Sequence, residues 1–165
     1  MSEQSNFFKG MLPACVVMAL VAGCAAPSGP AADKDQAQAV SCSAAQAGET
    51  LVGNWLAVRT QKGVAGELHV LFTLKPDGSM AYVEQLKRGR QPPRMLSETG
   101  CWTRSGQQLV LQTTESNGVP VDLNDPIYRN QYQITSAAAD RLGLSGAAGT
   151  MIARRMPADY RLPVL

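Results

Sequence analysis

Three observations predict an all-β fold for this chain. Between Leu51 and Met156, runs of four to nine residues rich in Val, Leu, Tyr and Thr recur at short intervals. Turn-forming residues punctuate them, Lys75-Pro76-Asp77-Gly78 most clearly, with proline presetting one dihedral and glycine supplying a positive φ. Long helical periodicity is absent from the region. Such spacing suits an antiparallel sandwich or barrel. About 106 residues suffice for one small domain.

Eight strands are expected. Leu51–Arg59 places Leu51, Gly53, Trp55 and Ala57 on one face, and Leu68–Leu74 turns Leu68, Val70, Phe72 and Leu74 inward. Met80–Leu86 follows the Pro-Asp-Gly turn, and a loop leads on to Glu98–Arg104, where Gly100 and Trp102 share a face. Ser105-Gly106 turns the chain into Gln107–Thr114, with Leu109 and Leu111 inward. After a polar loop, Ser116–Asp125, come Ile127–Thr135, Arg141–Ser145 and Thr150–Arg155. The connections are short enough for a meander, and closing a meander into a barrel removes its exposed edges. Residues 157–165 form a C-terminal tail.

The segment before the domain has a different character. Lys9 precedes an uncharged run from Met11 to Ala22. Twelve residues are too few to cross a hydrocarbon core that needs about 20, so residues 1–23 read as a signal peptide. Val21-Ala22-Gly23-Cys24 resembles the bacterial lipobox, with Val21 in place of the usual leucine. The resemblance implies cleavage before Cys24 and acylation of its thiol. It also implies sorting to the outer membrane, because Ala25 is not aspartate. Two or more lipid chains anchor stably where one binds marginally. Residues 24–50 are rich in Ala, Gln, Ser, Gly and Pro. They read as a flexible tether that cannot bury enough surface to offset its ordering entropy, with a short helix over 36–47.

Of the four cysteines, Cys15 leaves with the signal peptide and Cys24 carries lipid, which leaves Cys42 and Cys101. An even pair in an oxidising compartment reads as a disulfide, two unpaired thiols being the alternative. Closing that loop is worth roughly 4 kcal/mol in the chain-entropy model.

In order and spacing, several segments resemble the small bacterial lipocalin-like domain. They are Leu51-Val52-Gly53-Asn54-Trp55, Phe72-Thr73-Leu74-Lys75-Pro76-Asp77-Gly78-Ser79, Gly100-Cys101-Trp102, Leu109-Val110-Leu111, Tyr132-Gln133-Ile134, Arg141-Leu142-Gly143-Leu144 and Arg154-Arg155. The resemblance implies a small up-and-down antiparallel β-barrel of about eight strands. It also implies that Trp55 plugs one barrel end, with Arg154 or Arg155 packed across it as a cation–π contact. The chain is shorter than true lipocalins and lacks their middle motif. A barrel of this size holds packed side chains or one small ligand.

Few residues of the chain are of types that carry chemistry. The single histidine, His69, lies on the face opposite Phe72 and is expected in solvent rather than as a base or ligand. Glu67, Glu84, Glu98 and Glu115 are scattered; a pair of them could meet only across strands. Met80, Met95, Met151 and Met156 follow no copper-binding spacing. Two cysteines and one distant histidine make a poor metal set. No catalytic residue, metal or cofactor is therefore expected, and the chain is not read as an enzyme. One charge cluster stands out: Lys87, Arg88, Arg90 and Arg94, in the loop stiffened by Pro92-Pro93. Residues 51–165 carry 13 basic and 9 acidic side chains, net +4, against −2 for residues 24–50. The cluster is a candidate contact for an anionic envelope component, the alternative being a solvated loop. The expected partners are the membrane, through the lipid anchor, and an envelope polymer, a small apolar ligand or a protein; nucleic acid does not suit the compartment. The expected function is a lipid-anchored, periplasm-facing binding or structural module, the alternative being an inhibitor or assembly factor that acts through its loops.

Overall fold

A computed structural model describes residues 40–163. The signal peptide, the lipobox with Cys24, and the tether as far as residue 39 lie outside the described residues.

The domain is a closed antiparallel barrel. Its strands are β1 (Gly53–Gln61), β2 (Val64–Leu74), β3 (Ser79–Arg88), β4 (Gln91–Ser105), β5 (Gln108–Ser116), β6 (Val119–Pro120), β7 (Arg129–Ala137), β8 (Arg141–Gly146) and β9 (Gly149–Met156). Each pairs with its neighbour in order from β1 to β5; β5 then pairs with β7, and β9 closes on β1. Eight strands thus form the wall. The two-residue β6 is a spur folded back on β5 at Glu115 and Ser116. A short 3₁₀ turn, Pro126–Tyr128, capped by the Asp125 carboxylate, delivers the chain to β7.

Strict alternation builds the interior. Trp55 and Ala57 of β1 face Phe72 and Val70 of β2, and Leu74 faces Met80 of β3. Trp102 of β4 faces Leu111 of β5, and Leu144 of β8 faces Met151 of β9. All belong to one buried cluster. Burying each large side chain is worth roughly 1.5–3 kcal/mol. Gly100 permits a close approach of β4 and β5: a Cβ there would meet the Gln112 carbonyl and lie 2.9 Å from Thr113 Cα.

Three expectations are corrected. The loop after Leu86 is instead a hairpin, with β3 running on to Arg88 and β4 beginning at Gln91. Arg88 pairs with Gln91 and Leu86 with Arg94, so Lys87 alone stands against Pro92 and Pro93. The prolines therefore occupy a bulge, where the missing N–H groups cost the ladder nothing. The helix expected over 36–47 is absent from its described part, residues 40–47. Those residues form a strap against the barrel: Cys42 is disulfide-bonded to Cys101 with Cα atoms 5.2 Å apart, and Ala45 N–H donates to Pro76 O at 2.9 Å. Finally, His69 lies on the outer face, yet its side chain is only 16% exposed. The C-terminal tail crosses this face at Gln85, the cross-strand partner of His69. Asn54 Nδ2 donates to Pro157 O and Ala158 O, Gln85 Nε2 donates to Pro163 O, and Leu162 is buried.

Candidate functional site

The two barrel ends differ in chemistry. At the end holding the β2–β3 turn, Trp55 is 1% exposed and donates its indole N–H to Leu51 O at 2.8 Å. The Arg155 guanidinium lies 4.1 Å from the centre of the Trp55 ring. Its Nη1 donates to Val52 O at 2.8 Å, its Nη2 to Thr50 O at 2.6 Å, and its Nε to Ala139 O. One side chain thus ties the segment between the strap and β1, at Thr50 and Val52, to the β7–β8 turn across the tryptophan. Gly53, at φ 140°, leaves room for it, since a Cβ there would collide with Arg155 Nη1. Of the two arginines singled out in the sequence, Arg155 meets Trp55, and Arg154 is exposed on the outer wall opposite Leu56. Trp102 closes the same end, donating to Lys75 O at 2.9 Å. Nearby, Glu49 pairs with Arg104 at 2.8 Å. Burial pushes the Glu49 carboxyl up, but the Leu51 N–H and the Arg104 guanidinium outweigh it and hold its pKa below the usual value.

Toward the opposite end the inner wall turns polar. Cross-strand pairs share a face, so Tyr82, opposite Phe72, and Glu84, opposite Val70, point inward. Glu98 sits opposite Tyr82 and shares that face. Arg59 follows Trp55 and Ala57 along β1 and pairs with the buried Leu68. Tyr132 reaches in from β7 and packs on the core. Phe72 forms the floor, meeting Tyr82 and Tyr132 edge to face with ring centres 5.4 and 6.0 Å apart. The Tyr82 hydroxyl donates to Glu84 Oε2 at 2.7 Å, and the Thr113 hydroxyl donates to Glu98 Oε2 at 3.1 Å.

These groups share one electrostatic environment. Desolvation raises the Glu98 carboxyl, with the Thr113 hydrogen bond opposing and the Glu84 charge adding to the rise. Burial, the bond to Glu84 and its charge push Tyr82 far above the ordinary phenol range. Burial likewise raises Tyr132, with Arg59 opposing and both carboxylates reinforcing. Arg59 Nη1 reaches Ala148 O at 3.4 Å, while its buried Nε has no partner among the described residues.

Glu84 and Glu98 are thus brought together across strands. The signal for this is in the sequence: Glu84 has the parity of Met80, and Glu98 that of Gly100 and Trp102. The tyrosines and Arg59 escape notice because tyrosine suits any strand, and because one arginine at the end of β1 reads as a solvated terminus. The four cations of the hairpin do not form one surface. Lys87 lies across from Glu67, Arg88 Nε donates to Ala65 O at 3.2 Å, Arg90 is at the exposed turn, and Arg94 pairs with Leu86. His69 Nε2 is 3.6 Å from Glu67 Oε2. Among the described residues, no cluster of three or more His, Cys, Asp or Glu could hold a metal ion.

No family model matches the chain. No curated protein matches it either. Among solved structures it is similar to one described as the crystal structure of the Cpx pathway activator NlpE from Escherichia coli, at 17% identity and a TM-score of 0.40. The match covers 68% of this chain and 50% of that one.

Proposed function

We propose that this protein is a lipid-anchored binding module of the cell envelope, held at the periplasmic side of the outer membrane through Cys24, with its ligand site in the polar end of the barrel. The observation that carries the reading is the contrast between the two ends. A barrel filled only for stability wants apolar residues inside, and an inward carboxylate costs free energy unless something compensates it. Glu84 and Glu98 face inward beside two tyrosines and an arginine. Anchoring is supported by Val21–Cys24 behind the apolar run, and export by the Cys42–Cys101 disulfide. The described chain enters the domain by the strap at the Trp55 end. The module has no catalytic role, and its contacts are the membrane, through the anchor, and an envelope-derived ligand. Arg90, at the hairpin tip, is the cation best placed to meet an anionic envelope polymer.

A second reading has one observation in its favour. Val119, Leu123 and Ile127, on the β5–β7 connection, are 64%, 41% and 69% exposed. Apolar residues presented by a turn held by Asp122 and Asp125 suit a protein partner, as in an inhibitor or assembly factor.

Two measurements in intact cells test the proposal. Labelled palmitate should enter the wild-type protein and not the Cys24→Ser variant; equal labelling refutes the anchor. A photocrosslinker at Tyr132 should capture a small envelope component, and one at Val58 on the outer wall should not. Equal capture at both positions, or capture only from position 127, transfers function from the barrel end to the loops.

A further inference from the structure

A cavity of about 600 Å³ lies between the strap and the β4–β5 turn, outside the plugged end of the barrel. That volume is within the range of small-ligand sites. One wall is the strap at Ser43–Gln46, and the other is the end of β4 with Gly106. The strap wall is fixed in three ways: by the Cys42–Cys101 disulfide, by the bond from Ala45 N–H to Pro76 O, and by Gly78, where a Cβ would collide with Ser43 O. The hydroxyls of Ser43, Thr103 and Ser105 and the Gln46 amide line the cavity, and none of them is hydrogen-bonded to the described residues. The two charged lining residues, Glu49 and Arg104, pair with each other at 2.8 Å. Arg104 also donates through Nε to Gly106 O, which leaves Nη2 unused. Glu49 accepts all its bonds at Oε1, which leaves Oε2 unused.

The outer wall continues the same chemistry. Ser105 stands opposite Gln108, and Gln108 opposite Gln133, so the three share one outward row. Neighbours hold the two glutamine amides: Gln108 Nε2 donates to Gln131 Oε1 at 3.1 Å, and Gln133 Nε2 donates to Gln107 Oε1 at 3.0 Å. With adjacent strands about 4.8 Å apart, the row carries uncharged donors and acceptors roughly 10 Å beyond the cavity. The cation of β7, Arg129, is two rows away, opposite Gln112.

We infer that the strap cavity and this row bind an uncharged saccharide chain, with one sugar seated between the strap and β4 and the chain running out along Gln108 and Gln133. Hydroxyl and amide side chains both donate and accept, as sugar hydroxyls require. The Glu49–Arg104 pair cancels its own charge, so the cavity favours neither an anion nor a cation. The unused Oε2 and Nη2 still offer charge-assisted hydrogen bonds to neutral hydroxyls. An apolar ligand would desolvate these groups without pairing them. The site is at the opposite end from the carboxylate pair and does not rest on the reading of that end.

The test uses the full mature protein with its disulfide intact, in a non-glycosidic detergent, with backbone amide resonances as reporters. The probes are chitohexaose, maltohexaose and the monosaccharide N-acetylglucosamine; a sulfated hexasaccharide is the anionic control. A neutral hexasaccharide should shift the Thr103, Ser105 and Gly106 amides in a saturable manner and leave Tyr82 and Tyr132 unmoved. Thr103→Val and Ser105→Ala should each weaken binding about two- to tenfold, the usual effect of one lost hydrogen bond. Arg104→Lys keeps the charge but removes the second donor arm, and should weaken it about as much. Gln133→Ala should weaken the hexasaccharide and not the monosaccharide, a difference that a merely structural role would not produce. Failure of both neutral hexasaccharides to shift these amides overturns the inference. Tighter binding of the sulfated chain at the same amides overturns it as well, and so does unchanged affinity in all four variants. Shifts confined to Tyr82 and Tyr132 overturn it while supporting a ligand at the polar end.

Discussion

The two ends of this barrel are made from the same strands but hold different chemistry. At one end the charged group, Arg155, has its donors directed at backbone carbonyls and lies flat on Trp55. At the other end the charged groups face each other and an aromatic floor, with oxygens to spare and an arginine Nε without a partner. In the first arrangement all three guanidinium nitrogens of Arg155 are used to close the structure. In the second the polar atoms remain available. A buried ion is tolerated where its hydrogen bonds are complete. The incomplete set at the second end is better explained by what it can receive than by what it stabilises.

The difference between the two ends is greatest at Trp55. Trp55→Ala should destabilise the domain by about 3–5 kcal/mol, the usual cost of truncating a buried tryptophan. It also removes the ring beneath Arg155 and the bond to Leu51. At the opposite end, Tyr132→Phe removes a hydroxyl that makes no hydrogen bond to the described residues and should cost less than about 1 kcal/mol. Chemical denaturation of both variants checks the asymmetry. Equal losses at the two ends would erase it.

The strap comes next. Replacing Cys42 and Cys101 together by serine should cost about 2–4 kcal/mol, the usual range for a disulfide closing a long loop. The residues that this releases, Ala45 and Glu49 among them, contact the Trp55 end. Hydrogen exchange should therefore quicken around Trp102 and Lys75 and remain unchanged at Tyr82 and Tyr132. Uniform loosening of both ends would show that the strap supports the whole barrel rather than closing one end.

These two expectations were legible in sequence to different degrees. The strands follow from period-two alternation, and the plug tryptophan from its place beside Gly53 in the first strand. The choice of Arg155 over Arg154 needs strand parity, because Arg155 pairs with Trp55 and Arg154 with Leu56. The β3–β4 hairpin was obscured by Pro92-Pro93, which argue for a loop unless a bulge excuses their missing donors. The strap and the tail were obscured for another reason. Neither has periodicity, and each is held by a few specific bonds, from Cys42 and Ala45 in one and to Asn54 and Gln85 in the other. The polar end is a property of register. Glu84 and Glu98 are 14 positions apart in the chain, and only the pairing of Tyr82 with Glu98 makes them neighbours.

The smallest effect, and the sharpest contrast in sign, is in the pH dependence of one carboxylate at each end. Glu49 has its pKa held below the ordinary 4.5, so its contribution to stability is present above that value and is lost as pH falls through the folded-state pKa. Glu98 has its pKa raised above 4.5, with desolvation the first cause. The folded state therefore binds its proton more tightly than the unfolded chain does. Its favourable contribution is complete below 4.5 and is lost as pH rises through the folded-state pKa. Substitution by glutamine removes each titration. Glu49→Gln should lower the melting temperature at pH 7, with the deficit shrinking as pH falls below 4. Glu98→Gln should raise it at pH 7, with the gain gone by pH 4. Both groups are partly solvated, so the shifts should be small, and matched thermal melts from pH 3 to 7 in the same buffers are needed to resolve them. Two variants moving in the same direction at pH 7 would show that the carboxylates at the two ends experience equivalent surroundings. Opposite movements would show that one end uses its charge for closure and that the other bears its charge at a cost to the fold.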